Sequence, residues 1–219
     1  MDFLRQLDIF DPNIYKTSVT VIGTGSVGSF TALTLGKMGV NRLVLYDPDR
    51  IEPHNIPNQF YPASEVGEYK VEALSRMISQ FCDGVKIRAK PVEYTSQLIS
   101  TPIVVSAVDS KETRRDIYSS LLRIASEHIY PKLYIDTRMG GLVGAVYALT
   151  DLKHPNYEYL ESLEGDGEQL PCTAQSIIFN VLTLASVVAS YIRNWVMGKP
   201  IPFVTTFDTN TFQFLFHDG

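Results

Sequence analysis

A chain of 219 residues, 45% hydrophobic and 20% charged, has the length and composition of one large α/β domain with a well-buried core. Its net charge of −5 argues against nucleic acid as the main partner, because phosphate-backbone binders carry a basic surplus. Cys82 and Cys172 form no Cys-x-x-Cys, so neither a structural zinc site nor a disulfide framework can be read. The start lacks the basic-then-apolar order of a secretory leader. The most apolar late stretch, 177–188, contains Asn180, Thr183 and Ser186 and is too short for a membrane span. A cytoplasmic, reduced setting with no membrane partner is the expectation.

In chain order, residues 1–17 carry Phe3, Leu4, Leu7, Ile9 and Phe10 at helix-like spacing, broken by Asp11-Pro12, and predict a leading helix bearing Arg5-Gln6. The apolar run Ser18-Val19-Thr20-Val21-Ile22 passes straight into Gly23-Thr24-Gly25-Ser26-Val27-Gly28 and an amphipathic helix over 26–38, with Gly39 as its stop. A second strand, 42–46, ends at Asp47. Glycines at a strand-to-helix turn let backbone N–H groups and a helix N-terminus approach a phosphate, and an acid ending the next strand suits a ribose hydroxyl. A nucleotide site is therefore expected around Gly23, Gly25, Gly28 and Asp47.

Residues 48–67 form a loop rich in Pro, Asn and His, long enough to suggest function, and 69–81 is helical by period. An alternating strand over 85–90 precedes a continuously apolar one over 102–108, which reads as buried on both faces. Asp109 at its end should face the crevice of the glycines. A helix over 111–127, a strand over 132–136 and the Gly140-Gly141 turn lead to a run at 142–149 that alternates less cleanly. Residues 151–171 are acidic and aperiodic and read as a mobile crossover loop. A long apolar helix over 173–195 and a terminal hairpin of 203–207 and 211–216 complete the chain. The fold class expected is a doubly wound, mostly parallel sheet with an antiparallel C-terminal extension, in a single domain over 1–219. With no zinc pair available, packing by Phe203, Phe207, Phe212, Phe214 and Phe216 should hold the hairpin region.

Several motifs go beyond a generic nucleotide turn. Asp47-x-Asp49, Asn55, Asn58-Gln59 and Lys70 resemble the ATP-binding run of the ThiF/MoeB/HesA family, relatives of ubiquitin-activating enzymes. Arg5-Gln6, the Ser106-Ala107-Val108-Asp109 stretch with Arg114, and Arg138-Met139-Gly140-Gly141 resemble three further family segments in the same order. The resemblance implies a Rossmann-like homodimer that uses ATP and Mg²⁺. It would adenylate the C-terminal carboxylate of a small ubiquitin-like or sulfur-carrier protein ending in Gly-Gly. It implies Lys70 and a partner subunit's Arg5 on the phosphates, Asn55, Asn58 and Gln59 as neutral donors, Asp47 on the ribose with Asp49 beside it, and Asp109 on the metal. Cys172, before the long helix, resembles the crossover-loop cysteine that forms a thioester or persulfide-linked adduct. The family usually has Arg where Asn58 stands, and a neutral amide forgoes charge-assisted phosphate bonds; Arg50 nearby is a candidate substitute.

Each residue also has a plainer reading. Lys70 could be a solvated charge, Asp109 the cap of the following helix, Arg114 a helix-surface charge and Cys172 a small buried residue. Three other functions compete with carrier activation. They are an adenylating enzyme acting on a peptide or tRNA, a non-catalytic partner-binding module, and a nicotinamide-dependent oxidoreductase, which leaves Asn55, Gln59, Lys70 and Asp109 without a task.

Overall fold

In a computed structural model, residues 1–127, 131–164 and 176–218 are described. The glycine turn joins β1 (Ser18–Ile22) to α1 (Ser26–Met38), and β2 (Arg42–Tyr46), α2 (Lys70–Phe81) and β3 (Lys86–Lys90) follow. Next come β4 (Ile103–Ser106), α3 (Lys111–Glu127), β5 (Leu133–Gly140), β6 (Val143–Leu149), α4 (Tyr157–Glu161), α5 (Ile178–Val196), β7 (Val204–Asp208) and β8 (Gln213–His217). The strands make one eight-stranded sheet in the order β3-β2-β1-β4-β5-β6-β7-β8. Strands β1 to β5 run parallel, and β6 to β8 are added antiparallel.

Strand alternation divides the core. Val19, Val21, Leu43, Leu45, Ile103 and Val105 pack beneath α1, α2 and α5. Ile22, Val44, Tyr46, Val104 and Tyr134 point to the other face, beneath α3 and α4. The inner parallel strands are thus buried on both sides, which is why they read as unbroken apolar runs. Strand order reverses between β1 and β4, and in open α/β sheets the crevice at the carboxyl ends of such strands receives the ligand. Among the described residues no helix is long and apolar enough to cross a membrane.

Three expectations need correction. The leading helix is a single 3-10 turn, Leu4–Gln6, followed by turns. So few residues before Pro12 cannot repay helix nucleation, and the segment is held instead by Gln6 Nε2 on Met38 O (2.9 Å) and by Arg193 on Ile9 O (2.8 Å). The crossover segment is not wholly aperiodic. Asn156 caps α4 by accepting from Tyr159 N (2.8 Å), and Tyr159 is fully buried against Tyr118, Tyr134 and Tyr147. The hairpin packs on one strand only: Phe203 and Phe207 are buried, whereas Phe212, Phe214 and Phe216 are exposed, because the sheet ends at β8 and no described element covers it.

Candidate nucleotide-binding site

The turn between β1 and α1 is held from three sides. Gly23 has φ +85°, and a Cβ there would sit 2.7 Å from Ala107 O. A Cβ on Gly28 would lie 1.9 Å from Gly23 O, so the helix can pack against the strand end only with glycine at this position. Thr24, between them, has its polar groups engaged. Its N–H and hydroxyl donate to Asp47 Oδ2 (2.6 and 3.1 Å), and its carbonyl accepts from the buried Tyr61 hydroxyl (2.6 Å). Burial, with Asp47 nearby, drives the Tyr61 pKa far above its ordinary value and keeps that hydroxyl a donor. Gly25 differs from the other two: a Cβ there would meet only Gln59 Nε2, at 3.9 Å. The turn therefore keeps open space in front of the N-terminus of α1, where helix N–H groups lack intrahelical partners.

Asp47 and Asp49 divide their roles in a way that their spacing does not encode. Asp47 is 6% exposed; Oδ2 is taken by Thr24, and Oδ1 accepts from Asp49 N at 2.9 Å. It acts first as the clamp of the glycine turn. Asp49 carries the exposed carboxylate, its Oδ2 lying 2.8 Å from Lys70 Nζ. Lys70, the first residue of α2, is only 7% exposed, which removes the reading of a solvated surface charge. A cation at a helix N-terminus opposes the dipole, and Asp49 offsets that cost.

The loop between Asp47 and Lys70 folds back on itself through Ile51 N to Glu68 O and Gly67 N to Ile51 O, both 2.9 Å. Arg50 belongs to this closure: it donates to Gly67 O (2.7 Å) and stacks 3.9 Å over the Tyr69 ring. It does not line the cleft and does not replace the missing arginine at Asn58. Asn55 is buried in a 3-10 turn, its Oδ1 accepting from Glu52 N (2.9 Å). Asn58 Nδ2 donates to Ser176 Oγ (2.5 Å) and so ties the loop to the segment before α5. Asn58 Oδ1 and Gln59 Oε1 are buried with no hydrogen-bond partner among the described residues.

These groups surround a cleft of about 910 Å³ at the carboxyl ends of β1, β2 and β4. Gly23, Gly25, Asp47, Asp49, Asn55, Asn58, Gln59, Lys70 and Asp109 all line it; Gly28 stands behind the turn. Glu93, Tyr94 and Thr113 also line it, although neither motif nor period pointed to them. Asp109 is exposed in the cleft. Its plainer reading as the cap of α3 fails, because Ser110 Oγ takes that place by accepting from Thr113 N (3.3 Å). One residue is not brought in. Arg5 sits beside Gln6, which is bound to Met38 at the far end of α1, about 20 Å from the glycine turn by helix rise. Cys172 lies outside the described residues.

Behind Asp109 lies a polar node. Arg114, 6% exposed and so not a surface charge, donates to Val108 O, Asp136 Oδ1 and Thr137 O. Asp136 is fully buried and also accepts from Arg138 Nε (2.8 Å). Arg138 continues to Ser162 O and Oγ, both 3.0 Å, and lies 4.1 Å over the Tyr147 ring. Burial works against its cation, but Asp136 together with Tyr147 and Tyr159 outweighs burial, and the Arg138 pKa is raised. One carboxylate thus fixes both the loop before Asp109 and the crossover segment. Arg138→Ala should cost about 2 kcal/mol, the worth of hydrogen bonds to a charged group, because Asp136 keeps Arg114. Urea denaturation measures that loss, and faster proteolysis within 151–164 reports the loosened segment.

The profile of the ThiF family matches residues 10–218. The chain belongs to the ThiF family. Curated relatives include "Ubiquitin-like modifier-activating enzyme 5" of Culex quinquefasciatus, 39% identical over 74 residues, or 34% of this chain and 19% of that enzyme. The enzyme of the same name from Drosophila virilis is 31% identical over 121 residues, 48% of this chain and 30% of that enzyme. The match therefore spans less than a third of either relative. Among solved structures, PaaA superposes with a TM-score of 0.73 at 20% identity, covering 96% of this ThiF chain and 68% of its own. E. coli MccB in its crystal structure with ATP gives 0.73 at 13% identity, covering 92% and 63%. At such identities the likeness speaks for the fold, and both neighbours share it.

Proposed function

We propose that the chain binds ATP with Mg²⁺ and adenylates the C-terminal carboxylate of a small ubiquitin-like or sulfur-carrier protein ending in Gly-Gly. The observation that carries this reading is the cleft itself, with a glycine turn, a helix N-terminus, a buried lysine and an uncapped aspartate converging where the sheet reverses. The whole of 1–219 would act as one adenylation domain in a reducing, cytoplasmic setting. The names of the curated relatives and the ATP complex of MccB agree with it.

In the reaction, a carboxylate oxygen of the carrier attacks the α-phosphorus, the bond to the β-phosphate breaks, and pyrophosphate leaves. The nucleophile is already an anion and needs no base, so the barrier is electrostatic. The residues present fit the nucleotide. Gly25 leaves room for close approach, Gln59 brings an amide whose oxygen is unpaired among the described residues, and α1 turns its N–H groups toward the same space. Asp49, exposed and meeting Lys70 through Oδ2, is better placed than Asp47, whose two oxygens both accept hydrogen bonds, to take a ribose hydroxyl, while Asn55 and Asn58 would flank the phosphates. Asp109 would hold Mg²⁺, which supplies charge neutralisation on the phosphate oxygens.

Charge argues for further help. Among the described cleft residues, Lys70 is the one lysine or arginine, against the carboxylates of Asp47, Asp49, Glu93 and Asp109. A triphosphate needs more positive charge than that, so the metal and Arg5 from a second subunit both belong to this reading. Arg5 is too far from its own glycine turn to act within one chain.

The test is ATP–pyrophosphate exchange with and without a carrier ending in Gly-Gly. Carrier-dependent exchange is expected. ATP binding by calorimetry without exchange for any carrier would favour the second reading, a partner-binding module, for which the neutral Asn58 speaks. Cys172→Ala should leave exchange intact and remove a thiol-sensitive adduct seen by denaturing electrophoresis. If the wild type forms no adduct, Cys172 has no acceptor role.

A further inference from the structure

Asp109 is exposed on one side and fastened on the other. The turn that carries it, 107–110 between β4 and α3, is tied at three atoms. Ala107 N donates to Ile22 O at 2.8 Å, Val108 O accepts from Arg114 Nη2, and Ser110 Oγ accepts from Thr113 N at 3.3 Å. The middle tie bears most directly on Asp109, because the Val108 carbonyl belongs to the planar peptide unit that leads into it. Arg114 Nη1 donates to Asp136 Oδ1 and to Thr137 O, the latter at 2.6 Å. Both acceptors lie on β5, where Asp136 stands in register with Ser106, the last residue of β4. One buried guanidinium thus bolts the turn to the sheet, and it is not among the groups that line the cleft.

We propose that Arg114 is a positioning residue: through Val108 O it fixes the direction in which Asp109 presents its oxygens to Mg²⁺, touching neither metal nor nucleotide. This rests on the reading of Asp109 as the metal's carboxylate and adds the residue that aims it. Mg²⁺ demands near-ideal octahedral geometry and takes few protein carboxylates, so the aim of each one matters. A ligand already held by its surroundings also needs less ordering when the metal arrives. Arginine suits this task because its planar fork reaches the turn and β5 at once, whereas a lysine ammonium is a point charge on a flexible stem. Arg114→Lys would keep a cation for Asp136 and release Val108 O. Arg138 supplies the control. It binds the same Asp136, through Oδ2, but its other hydrogen bonds run to Ser162, and among the described residues none reaches the 107–110 turn.

The experiment is calorimetry of ATP binding, in chelator and in Mg²⁺, for the wild type, Arg114→Lys, Arg138→Lys and Asp109→Ala, with urea denaturation of each. Both lysine variants should fold and lose some stability, since each gives up bonds to a buried carboxylate. In chelator both should bind ATP as the wild type does, because each keeps its charge. The tightening given by Mg²⁺ should fall about tenfold in Arg114→Lys and stay within about twofold in Arg138→Lys. Arg114→Gln is the second variant, read the same way if Arg114→Lys unfolds. An equal loss in both lysine variants would mean general loosening and overturns the proposal. So does full tightening in Arg114→Lys when Asp109→Ala has lost it, an outcome that leaves Asp109 as the metal's carboxylate. A wild type that Mg²⁺ does not tighten removes that assignment and the proposal with it.

Discussion

Replacing Gly28 by alanine should destabilise the domain by about 4 kcal/mol or more, while the same replacement at Gly25 should cost about 1 kcal/mol or less. The difference comes from what each new methyl would meet. At Gly28 it would lie 1.9 Å from Gly23 O, a backbone oxygen of a residue whose N–H is bonded to Tyr46 O at 2.9 Å. Relief requires parting α1 from the end of β1, which undoes the packing of Ala32 and Leu35 and the clamp of Asp47 and Tyr61 on Thr24. At Gly25 the methyl would enter open space beside Gln59, so the fold survives and the volume next to the helix N-terminus is lost. Urea denaturation should separate the two variants, and calorimetry with ATP should then show folded Gly25→Ala binding at least tenfold more weakly. Equal stability of the two variants would mean that the turn is not packed as described.

The same turn shows why so much was legible beforehand. Strand β1, the glycines and α1 lie within 21 consecutive residues, 18–38, and their interactions are local enough for spacing to encode them. What spacing could not encode is contact between distant residues. Asp47 ends its strand as expected, but that its Oδ2 is taken depends on Thr24, 23 positions away. Asp136 reads as one more acid after an apolar strand. Only the fold brings Arg114 and Arg138 to it from either side.

The hairpin misled for the converse reason. Its alternating phenylalanines have the pattern of a covered strand, but cover depends on where the sheet stops, which no periodicity records. At the N-terminus, apolar spacing was a fair helical signal. The segment is too short to use it and takes tertiary hydrogen bonds instead.

Asp109→Ala should leave stability within about 0.5 kcal/mol of wild type and lower carrier-dependent exchange by a factor on the order of 10² to 10³. The first half follows from the cap: Ser110 already serves α3, and the Asp109 carboxylate is exposed in the cleft. The second follows from charge, and it makes an opposite prediction for binding with and without metal. Removing one of the four carboxylates that the described cleft residues set against one lysine weakens the repulsion of a polyanion, so ATP in chelator should bind as well as before or better. The tightening that Mg²⁺ gives the wild type should disappear, because the oxygen ligand has gone. A purely structural aspartate would lower stability, and a merely repulsive one would strengthen binding under both conditions. Only a metal-bearing carboxylate gives the crossed result, and unchanged exchange in this variant removes Asp109 from the chemistry.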